Sequence, residues 1–311
     1  MSRYLVTGGA GFIGSHVVDG LVSASEEVRV VDDFSTGMRK NLTQHDAVEV
    51  IEADLVKPGV AISVVDDVDY VIHIAAIPSV PQSVKDPLTS HRANVEGTLL
   101  LLTAARDAGV KRVVFASSSS VYGDSPTLPK DEKMPTNPLS PYALQKLVGE
   151  HYMRLFHELY GLDTVVLRFF NVFGPRQNPS SEYSGVISLF TKALSEGQQP
   201  VIYGDGEQTR DFTYVSDVVD GLILACHRPD AVGQIINIAR GGRTSLNRLF
   251  EVLRALVGVP SVAPLYGSSR EGDIRNSQAD VARANQLLGY NAQVTLEEGL
   301  RHTVEWYRSS R

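Results

Sequence analysis

The sequence has very little cysteine and no other sign of a metal protein. Only one of its 311 residues, Cys226, is a cysteine, which excludes an intrachain disulfide and any cysteine-rich metal site. A reducing compartment fits this composition. The 8 histidines show no spacing typical of metal ligands, so we expect no bound metal.

The sequence also lacks a long apolar run and an excess of positive charge. No segment reaches about 18 apolar residues, the length of a membrane-spanning helix. The N-terminal residues enter a short apolar strand and show no secretion signal, so we expect a cytoplasmic protein with no membrane partner. The formal net charge of -7 gives no general basic surface, so we expect no nucleic-acid partner either.

What the sequence does contain is the composition and patterning of a globular α/β protein. Hydrophobic residues make up 43% of the chain and charged residues 21%. Short apolar runs alternate with stretches of helical periodicity, which predicts a doubly wound parallel (Rossmann) sheet with helices on both faces. The predicted strands span residues 4–7, 28–32, 48–53, 70–75, 113–117 and 164–169, and the predicted helices span residues 13–23, 93–108 and 142–160.

The pattern changes near residue 171. Beyond it the elements are shorter and are separated by turns such as Gly204-Asp205-Gly206. We predict a Rossmann domain of residues 1–171 and a smaller C-terminal α/β region of residues 172–311, which mainly binds substrate and packs over a shared cleft. Two later strand patterns, at 212–215 and 235–238, also fit a return to the first sheet.

A glycine motif follows the first predicted strand and opens a helix, in the segment Thr7-Gly-Gly-Ala-Gly-Phe-Ile-Gly14. Gly8 and Gly11 permit a tight turn and a close approach of the backbone to a pyrophosphate. Gly14 lets the helix lie close to the strand, and the helix N-terminus faces the phosphates. This order of elements predicts a dinucleotide site, although a glycine-rich turn that only caps a helix is the alternative.

The end of the second strand predicts which dinucleotide binds. Asp32 stands where a carboxylate accepts hydrogen bonds from the adenosine ribose and repels a 2′-phosphate, so we predict NAD rather than NADP. Arg39 and Lys40 also fit a 2′-phosphate, although a solvated basic loop accounts for them as well. The remaining residues assigned to the cofactor are Phe12, Ile13, Asp54, Leu55, Ala75, Ala76 and Asn94.

Two of these assignments have plain structural alternatives. Asp54 and Leu55 follow the third strand, where Asp54 is placed to accept from an adenine amine, but a strand-ending turn explains them equally well. Ala75 and Ala76 are small enough for a dinucleotide to pass closely, but small residues are also common in cores.

Tyr142 and Lys146 begin a predicted helix and share one of its faces, being four residues apart. An ammonium near a phenol favours the phenolate, which makes the tyrosine a proton acceptor near neutral pH. Four consecutive hydroxyl residues, 117–120, stand at the carboxyl end of a buried strand, the edge where doubly wound sheets bind ligands. A polar turn is the alternative for some of these serines.

Taken together, the motifs resemble the UDP-glucose/UDP-N-acetylglucosamine 4-epimerase family, which is of the extended short-chain dehydrogenase/reductase type. The resemblance covers nearly the whole chain. It rests on the glycine motif, Ser-Ser-x-x-Val-Tyr-Gly, Tyr-x-x-x-Lys, Arg168-Phe-Phe-Asn-Val-Phe-Gly-Pro175, Gly204-Asp-Gly206, Arg210-Asp-Phe212 and Arg270-Glu-Gly-Asp273.

The resemblance implies a reversible oxidation at the sugar C4 with tightly bound NAD. Ser118 matches the residue that hydrogen-bonds the 4-hydroxyl, Tyr142 matches the base, and Lys146 matches the residue that binds the nicotinamide ribose and lowers the tyrosine pKa. The resemblance further implies a homodimer formed through the helices at 93–108 and 142–160, although internal packing of these helices fits the sequence too.

The substrate assignments follow from the same resemblance. Arg210 and Arg270 match arginines that hold the diphosphate, Phe170 and Asn171 match substrate-contacting positions, and Val186 and Tyr203 match the uridine region. Family members restricted to non-acetylated hexoses carry a Tyr at the position of Ser277, so a serine predicts room for a 2-acetamido group. The stretch Arg176-Gln-Asn-Pro179 also resembles the branch that accepts N-acetyl sugars. We therefore predict UDP-GlcNAc/UDP-GalNAc as substrates together with UDP-Glc/UDP-Gal.

Other chemistries on this scaffold remain as alternatives. The 4,6-dehydratases place an Asp-Glu pair, and the UDP-glucuronate decarboxylases a Glu, where this chain has Ser119 and Ser120. UDP-glucuronate 4-epimerases usually have Thr at the position of Asn171, which leaves a uronate as a second possibility. A non-catalytic NAD-sensing protein on the same fold is the remaining alternative.

Overall fold

The computed structural model describes residues 1–42, 48–178, 185–269 and 274–310. In these segments the strands are β1 (Arg3–Thr7), β2 (Glu27–Asp32), β3 (Glu49–Glu52), β4 (Tyr70–His73), β5 (Arg112–Ser118), β6 (Asp163–Phe169), β7 (Val172–Phe173), β8 (Val201–Tyr203), β9 (Thr209–Arg210), β10 (Thr213–Tyr214), β11 (Ile235–Ile238), β12 (Thr244–Ser245) and β13 (Leu265–Gly267). The α-helices are α1 (Phe12–Ser23), α2 (Val60–Val64), α3 (Val80–Lys85), α4 (Pro87–His91), α5 (Gly97–Asp107), α6 (Pro141–Tyr160), α7 (Val186–Ser195), α8 (Val215–His227), α9 (Leu246–Val257), α10 (Ala282–Leu288) and α11 (Leu296–Ser309).

Seven of the strands form one parallel sheet in the order β3-β2-β1-β4-β5-β6-β11. The central strands are nearly continuous apolar runs because both faces of the sheet are covered. The order reverses beside β1, which is the doubly wound arrangement. The predicted α/β fold is confirmed.

Helices cover the two faces of the sheet with separate apolar clusters. On one face α1 and α8 pack together, through residues such as Val18 and Leu222. On the other face α5 and α6 pack against the sheet, through Leu101, Leu102 and Met153. Each helix is therefore held by burial of its apolar side, which supplies most of the stability of a helix in a protein.

The C-terminal region has a third cluster, formed mainly by α7, α9 and α11 with short two-stranded sheets around it. Of the two later segments predicted to return to the first sheet, only β11 does so, by pairing with β6. The other segment forms β10, which pairs with β7 outside the large sheet. The domain boundary near residue 171 stays a prediction.

The predicted helix at 93–108 is longer than the sequence pattern suggested. The helical segment begins at Pro87, after Asp86 accepts a hydrogen bond from the Thr89 N–H at 3.1 Å, and runs through α4 and a π-helical turn (Arg92–Glu96) into α5. π turns occur frequently at functional sites. Over the segments that the model describes, no helix is both long and apolar enough to cross a membrane.

Candidate active site

A cavity of about 910 Å³ opens at the carboxyl ends of β1 to β6. This is the edge at which doubly wound sheets bind ligands. The predicted site residues that line it are Gly8, Gly11, Phe12, Ile13, Gly14, Asp32, Asp54, Leu55, Ala75, Ala76, Ser118, Tyr142, Lys146, Asn171, Arg210 and Ser277. Residues more than 250 positions apart in the chain therefore face one space.

The glycine turn between β1 and α1 leaves no room for side chains. Gly8 has φ +70, a conformation that favours glycine, and a Cβ there would lie 2.9 Å from the backbone of Ala75. At Gly14 a Cβ would lie 2.1 Å from the Gly8 carbonyl oxygen. The free N–H groups at the start of α1 therefore face an open cradle, which fits a pyrophosphate.

Asp32 is fixed at the end of β2 by backbone hydrogen bonds. Its Oδ2 accepts from the Ala10 N–H at 2.9 Å and its Oδ1 from the Phe34 N–H at 2.8 Å. Burial raises the pKa of this carboxyl, and the two hydrogen bonds oppose that rise. Arg39 forms an ion pair with Glu52 and lies 4.4 Å over the Phe34 ring, so the basic loop residue already has partners.

The end of β4 is held by a buried hydrogen-bond chain. His73 contacts Thr7 at 2.7 Å and Thr98 at 2.9 Å, and the Thr7 hydroxyl accepts from the Ile74 and Ala75 N–H groups, both at 3.1 Å. Burial lowers the pKa of His73 to about 3, which keeps the ring neutral. This histidine is therefore a structural residue that contacts Thr7, and Thr7 in turn holds Ala75 at the cavity wall.

Tyr142 and Lys146 stand on the first two turns of α6, which begins where Ser140 accepts a hydrogen bond from the Ala143 N–H at 3.2 Å. Lys146 Nζ donates to the Ala116 carbonyl at 2.7 Å and lies 6.0 Å from the centre of the Tyr142 ring. The helix therefore places both side chains against the end of β5.

The protonation states differ from the sequence-based expectation. Burial raises the pKa of Tyr142 to about 12, although a hydrogen bond with Ser118 opposes the rise. Burial also lowers the pKa of Lys146 to about 8, and the charge of Glu150 opposes that change. Desolvation is therefore the largest cause of both pKa shifts, and in the protein alone it works against the phenolate form of Tyr142.

The four consecutive serines have different surroundings. Ser118 caps a short 3-10 turn by accepting from the Ser120 N–H at 3.2 Å, and Ser118, Ser119 and Ser120 all line the cavity. Ser117 also borders the cavity but donates to Glu150 at 2.5 Å. The hydroxyl of Ser117 is therefore already hydrogen-bonded within the protein, as the alternative of a polar turn predicted for some of the four serines.

A buried ion pair helps to fix the position of α6 on the sheet. Glu150 lies one helical turn beyond Lys146 and accepts hydrogen bonds from Arg168 Nε at 2.9 Å and Nη2 at 2.6 Å. The side chains are 2% and 3% exposed, so the pair is fully desolvated. Because Glu150 also holds Ser117, it joins α6 to both β5 and β6.

We expect Glu150→Gln to destabilise the fold by about 3–5 kcal/mol, because Arg168 then remains buried without a counter-charge. The measurement is the free energy of unfolding in urea. Glu158→Gln on the same helix is the control, since its pairing with Arg154 at 2.8 Å is exposed and such pairs contribute about 1 kcal/mol or less. Equal losses in the two variants would contradict the expectation.

Several predicted site residues do not line the cavity. Phe170 is 0% exposed and packs 6.2 Å from the Tyr122 ring, whereas its neighbour Phe169 faces the cavity. Val186 and Tyr203 lie outside the lining. Arg270 lies outside the described residues.

Asn94 also stands outside the lining, where it supports the cavity wall. Its side chain in the π turn accepts from the Ile77 N–H at 2.7 Å and donates to Gln145 at 2.8 Å. Ile77 lines the cavity, and Gln145 precedes Lys146 on α6. Asn94 therefore connects the wall that carries Ile77 to the helix that carries the Tyr-Lys pair.

The structure adds lining residues that sequence reasoning did not assign. Arg176 forms an ion pair with Asp19 at 2.7 Å and thereby joins the loop after β7 to α1, while Gln177 donates to the Val172 carbonyl at 3.2 Å and accepts from Ser188. Both line the cavity together with Asn178. The position of these three residues at the cavity depends on contacts with residues that are distant in the sequence.

Comparisons with known proteins agree with this geometry. The model of the NAD dependent epimerase/dehydratase family matches residues 4–239. The chain is 42% identical to a UDP-glucose 4-epimerase of Mycolicibacterium smegmatis, over 99% of both proteins. It is also similar to the solved structure of a UDP-N-acetylglucosamine 4-epimerase from Methanobrevibacter ruminantium M1 in complex with UDP-N-acetylmuramic acid, with TM-score 0.96, 41% identity, and coverage of 100% of this chain and 99% of that one.

A further similar protein was solved with a bound cofactor. The chain is similar to a UDP-glucuronic acid 4-epimerase from Bacillus cereus, solved with NAD and UDP-4-deoxy-4-fluoro-glucuronic acid, with TM-score 0.92, 31% identity, and coverage of 99% of this chain and 100% of that one. The predicted dependence on NAD is confirmed by the family and by this structure. The chain belongs to the NAD dependent epimerase/dehydratase family and, within it, to the UDP-sugar 4-epimerases of the extended short-chain dehydrogenase/reductase type.

Proposed function

We propose that the protein interconverts UDP-GlcNAc and UDP-GalNAc, and also UDP-Glc and UDP-Gal, by reversible oxidation at C4. The observation that carries this proposal is the position of Ser277 in the same cavity as Ser118, Tyr142 and Lys146. The small side chain of Ser277 suits a hexose with a bulky 2-substituent. The proton-transfer groups in the same cavity suit oxidation of a sugar hydroxyl.

The residues divide the chemistry between them. Bound NAD supplies the hydride acceptor. Tyr142 takes the proton of the C4 hydroxyl, and Ser118, which hydrogen-bonds the phenol, orients that hydroxyl. Lys146 contributes a positive charge that favours the phenolate, and the Ala116 carbonyl holds its ammonium in place. The 4-keto sugar then turns in the cavity, regains the hydride at C4 on its other face, and recovers the proton on its C4 oxygen from Tyr142, which returns to its starting form.

Because the cycle has no net redox change, NAD is regenerated at each turnover and stays tightly bound. The enclosing residues support this: the glycine cradle, Asp32 and the small Ala75 and Ala76 line one continuous space with the reacting groups. A closed site also keeps the keto intermediate from escaping or reacting with water.

Ser277 is proposed to admit the 2-acetamido group. It is 8% exposed and fixed by the hydrogen bond of its N–H to the Thr209 carbonyl at 3.0 Å, so a larger side chain there cannot simply turn into solvent.

Ser277→Tyr is expected to lower kcat/KM for UDP-GlcNAc by about 10²-fold, since the added ring fills the space of the acetamido group, while UDP-Glc is turned over nearly as before. The measurement is the ratio of kcat/KM for the two substrates. Ser277→Ala is the control and should retain both activities. Full activity of the tyrosine variant on UDP-GlcNAc would contradict the role of Ser277.

The function itself is tested with three substrates. Purified protein is incubated separately with UDP-Glc, UDP-GlcNAc and UDP-GlcUA, without added NAD, and the products are identified by NMR. We expect the C4 epimers of the first two sugars. Absence of any C4 epimer would overturn the proposal, and a 4-keto-6-deoxy or pentose product would indicate a dehydratase or a decarboxylase.

A UDP-glucuronate 4-epimerase is the second candidate. Ser119 and Ser120 line the cavity beside Ser118, and three neighbouring hydroxyls are suitable donors to a carboxylate. Asn171 counts against it, because family members acting on uronates usually have Thr there. The UDP-GlcUA reaction above separates the two candidates, and any turnover argues against a non-catalytic NAD sensor.

We also propose a homodimer formed through α5 and α6. Leu100, Leu144 and Leu159 are 38%, 51% and 67% exposed on these helices, and such apolar side chains are suited to an interface. Size-exclusion chromatography with light scattering measures the mass directly, and a value of 33.8 kDa would contradict the dimer.

A further inference from the structure

Asp211 is a buried carboxylate beside the substrate half of the cavity, and the chemistry above does not use it. It is 0% exposed. Its Oδ2 accepts hydrogen bonds from the Gly241 N–H at 3.0 Å and from the Ala279 N–H at 3.1 Å. Burial raises its pKa to about 6, and these hydrogen bonds oppose that rise. A buried charge is costly unless hydrogen bonds compensate it.

Asp211 lies where three segments from distant parts of the chain meet, namely 209–211, 240–242 and 275–280. The Ser277 N–H donates to the Thr209 carbonyl at 3.0 Å. The Gln278 side chain donates to the Gly241 carbonyl at 3.0 Å. The two hydrogen bonds of Asp211 join all three segments at one buried point.

The same segments carry the residues of the substrate half. Arg210 directly precedes Asp211, and Ser277 lies two positions before Ala279; both line the cavity. No residue of the glycine cradle or of the β2 end belongs to these segments. We therefore expect a change at Asp211 to act on one half of the cavity and to leave the other half in place.

We propose that Asp211 is a positioning residue for the sugar-nucleotide half of the cavity. By holding the backbone at Gly241 and Ala279 it fixes the position of Ser277 relative to Arg210, without touching the ligand itself. The inference rests on the proposed function, because it takes the ligand of this half to be a UDP-sugar.

The test compares two buried aspartates that each accept hydrogen bonds from two backbone N–H groups. Asp217 is 2% exposed and accepts from the Gln293 N–H at 3.0 Å and from the Val294 N–H at 3.3 Å. Like Asp211 it does not line the cavity itself, but the backbone that it holds is not part of a cavity-lining segment either. Both Asp211→Ala and Asp217→Ala remove a carboxylate that holds two backbone amides. Any general effect of losing such a group therefore appears in both variants, and an effect on the substrate half appears only in the first.

The readouts are the Kd of UDP by calorimetry, the KM of the UDP-sugar, and the NAD content of the purified protein. A misplacement of about 1 Å costs up to 10²-fold in reaction rate. We expect a loss of similar size in binding, so Asp211→Ala should raise the Kd of UDP and the KM by roughly 10- to 100-fold. We expect its NAD content to match that of the wild type, and we expect the Kd and KM of Asp217→Ala to be unchanged. Asp211→Asn keeps one oxygen that accepts both hydrogen bonds, so its Kd of UDP should lie closer to that of the wild type than the Kd of Asp211→Ala does.

Equal Kd values for UDP in Asp211→Ala and Asp217→Ala would overturn the inference, as would a matching loss of NAD. If Asp211→Ala does not fold, Gln278→Ala removes the neighbouring link to Gly241. It should raise the Kd of UDP by a smaller factor, and an unchanged Kd would then overturn the inference. The proposed function fails separately, if the wild type gives no C4 epimer, whereas UDP binding is measured without turnover.

Discussion

Tyr142→Phe is expected to lower kcat about 10³-fold and to leave substrate binding nearly unchanged, since general acid–base groups contribute roughly 10²- to 10⁴-fold. The phenol hydroxyl is the group placed to take the C4 proton, and Phe keeps the ring while removing it. The measurement is the rate of epimer formation with saturating UDP-sugar, together with the Kd of UDP.

Tyr152→Phe is the matched control for this change. Tyr152 stands on the same helix but packs against the apolar cluster that contains Met153 and does not line the cavity, so its loss of a hydroxyl should leave kcat near that of the wild type. A Tyr142→Phe variant with more than a tenth of the wild-type kcat would show that another group accepts the proton. Ser118 would then be the next residue to test.

Gly14→Ala is expected to remove NAD from the purified protein. The added Cβ would lie 2.1 Å from the Gly8 carbonyl oxygen and 2.8 Å from the Gly9 Cα, and both are backbone atoms that cannot turn aside. The turn must therefore open, which displaces the N–H groups that face the pyrophosphate. The measurement is the NAD released on denaturation, per mole of protein.

Gly97→Ala is the control for the glycine substitution. This glycine also lies in a helix, but a Cβ there would have its nearest neighbours at 3.7 Å, which is ordinary contact. We expect the control to retain NAD and activity. Equal NAD contents in the two variants would show that the cradle tolerates a side chain.

The large sheet was predictable because its strands follow a local rule. A strand buried on both faces reads as an apolar run, and β4 and β5 have that pattern. The short strands of the C-terminal region follow no such rule. Leu265 pairs with Val201 across 63 intervening residues, and that register depends on the surrounding packing, which local sequence does not specify.

The sequence predicted those site residues that belong to motifs at strand ends. The assignment of Phe170 shows the limit, because successive side chains of an extended chain point to opposite sides, and it is Phe169 that reaches the cavity. The expected lowering of the Tyr142 pKa shows a second limit of prediction from sequence. A charge at the right spacing was visible in the sequence, but the burial that outweighs it was not.

The place of β11 in the sheet has a consequence during synthesis on the ribosome. If the sheet begins to form before residue 238 has emerged, β6 is its edge strand, and its backbone groups and apolar side chains such as Val165 and Leu167 have no neighbour from β11. Open edges of this kind invite pairing with other chains. The nascent chain therefore depends on a strand from its C-terminal half to protect the sheet begun in its N-terminal half.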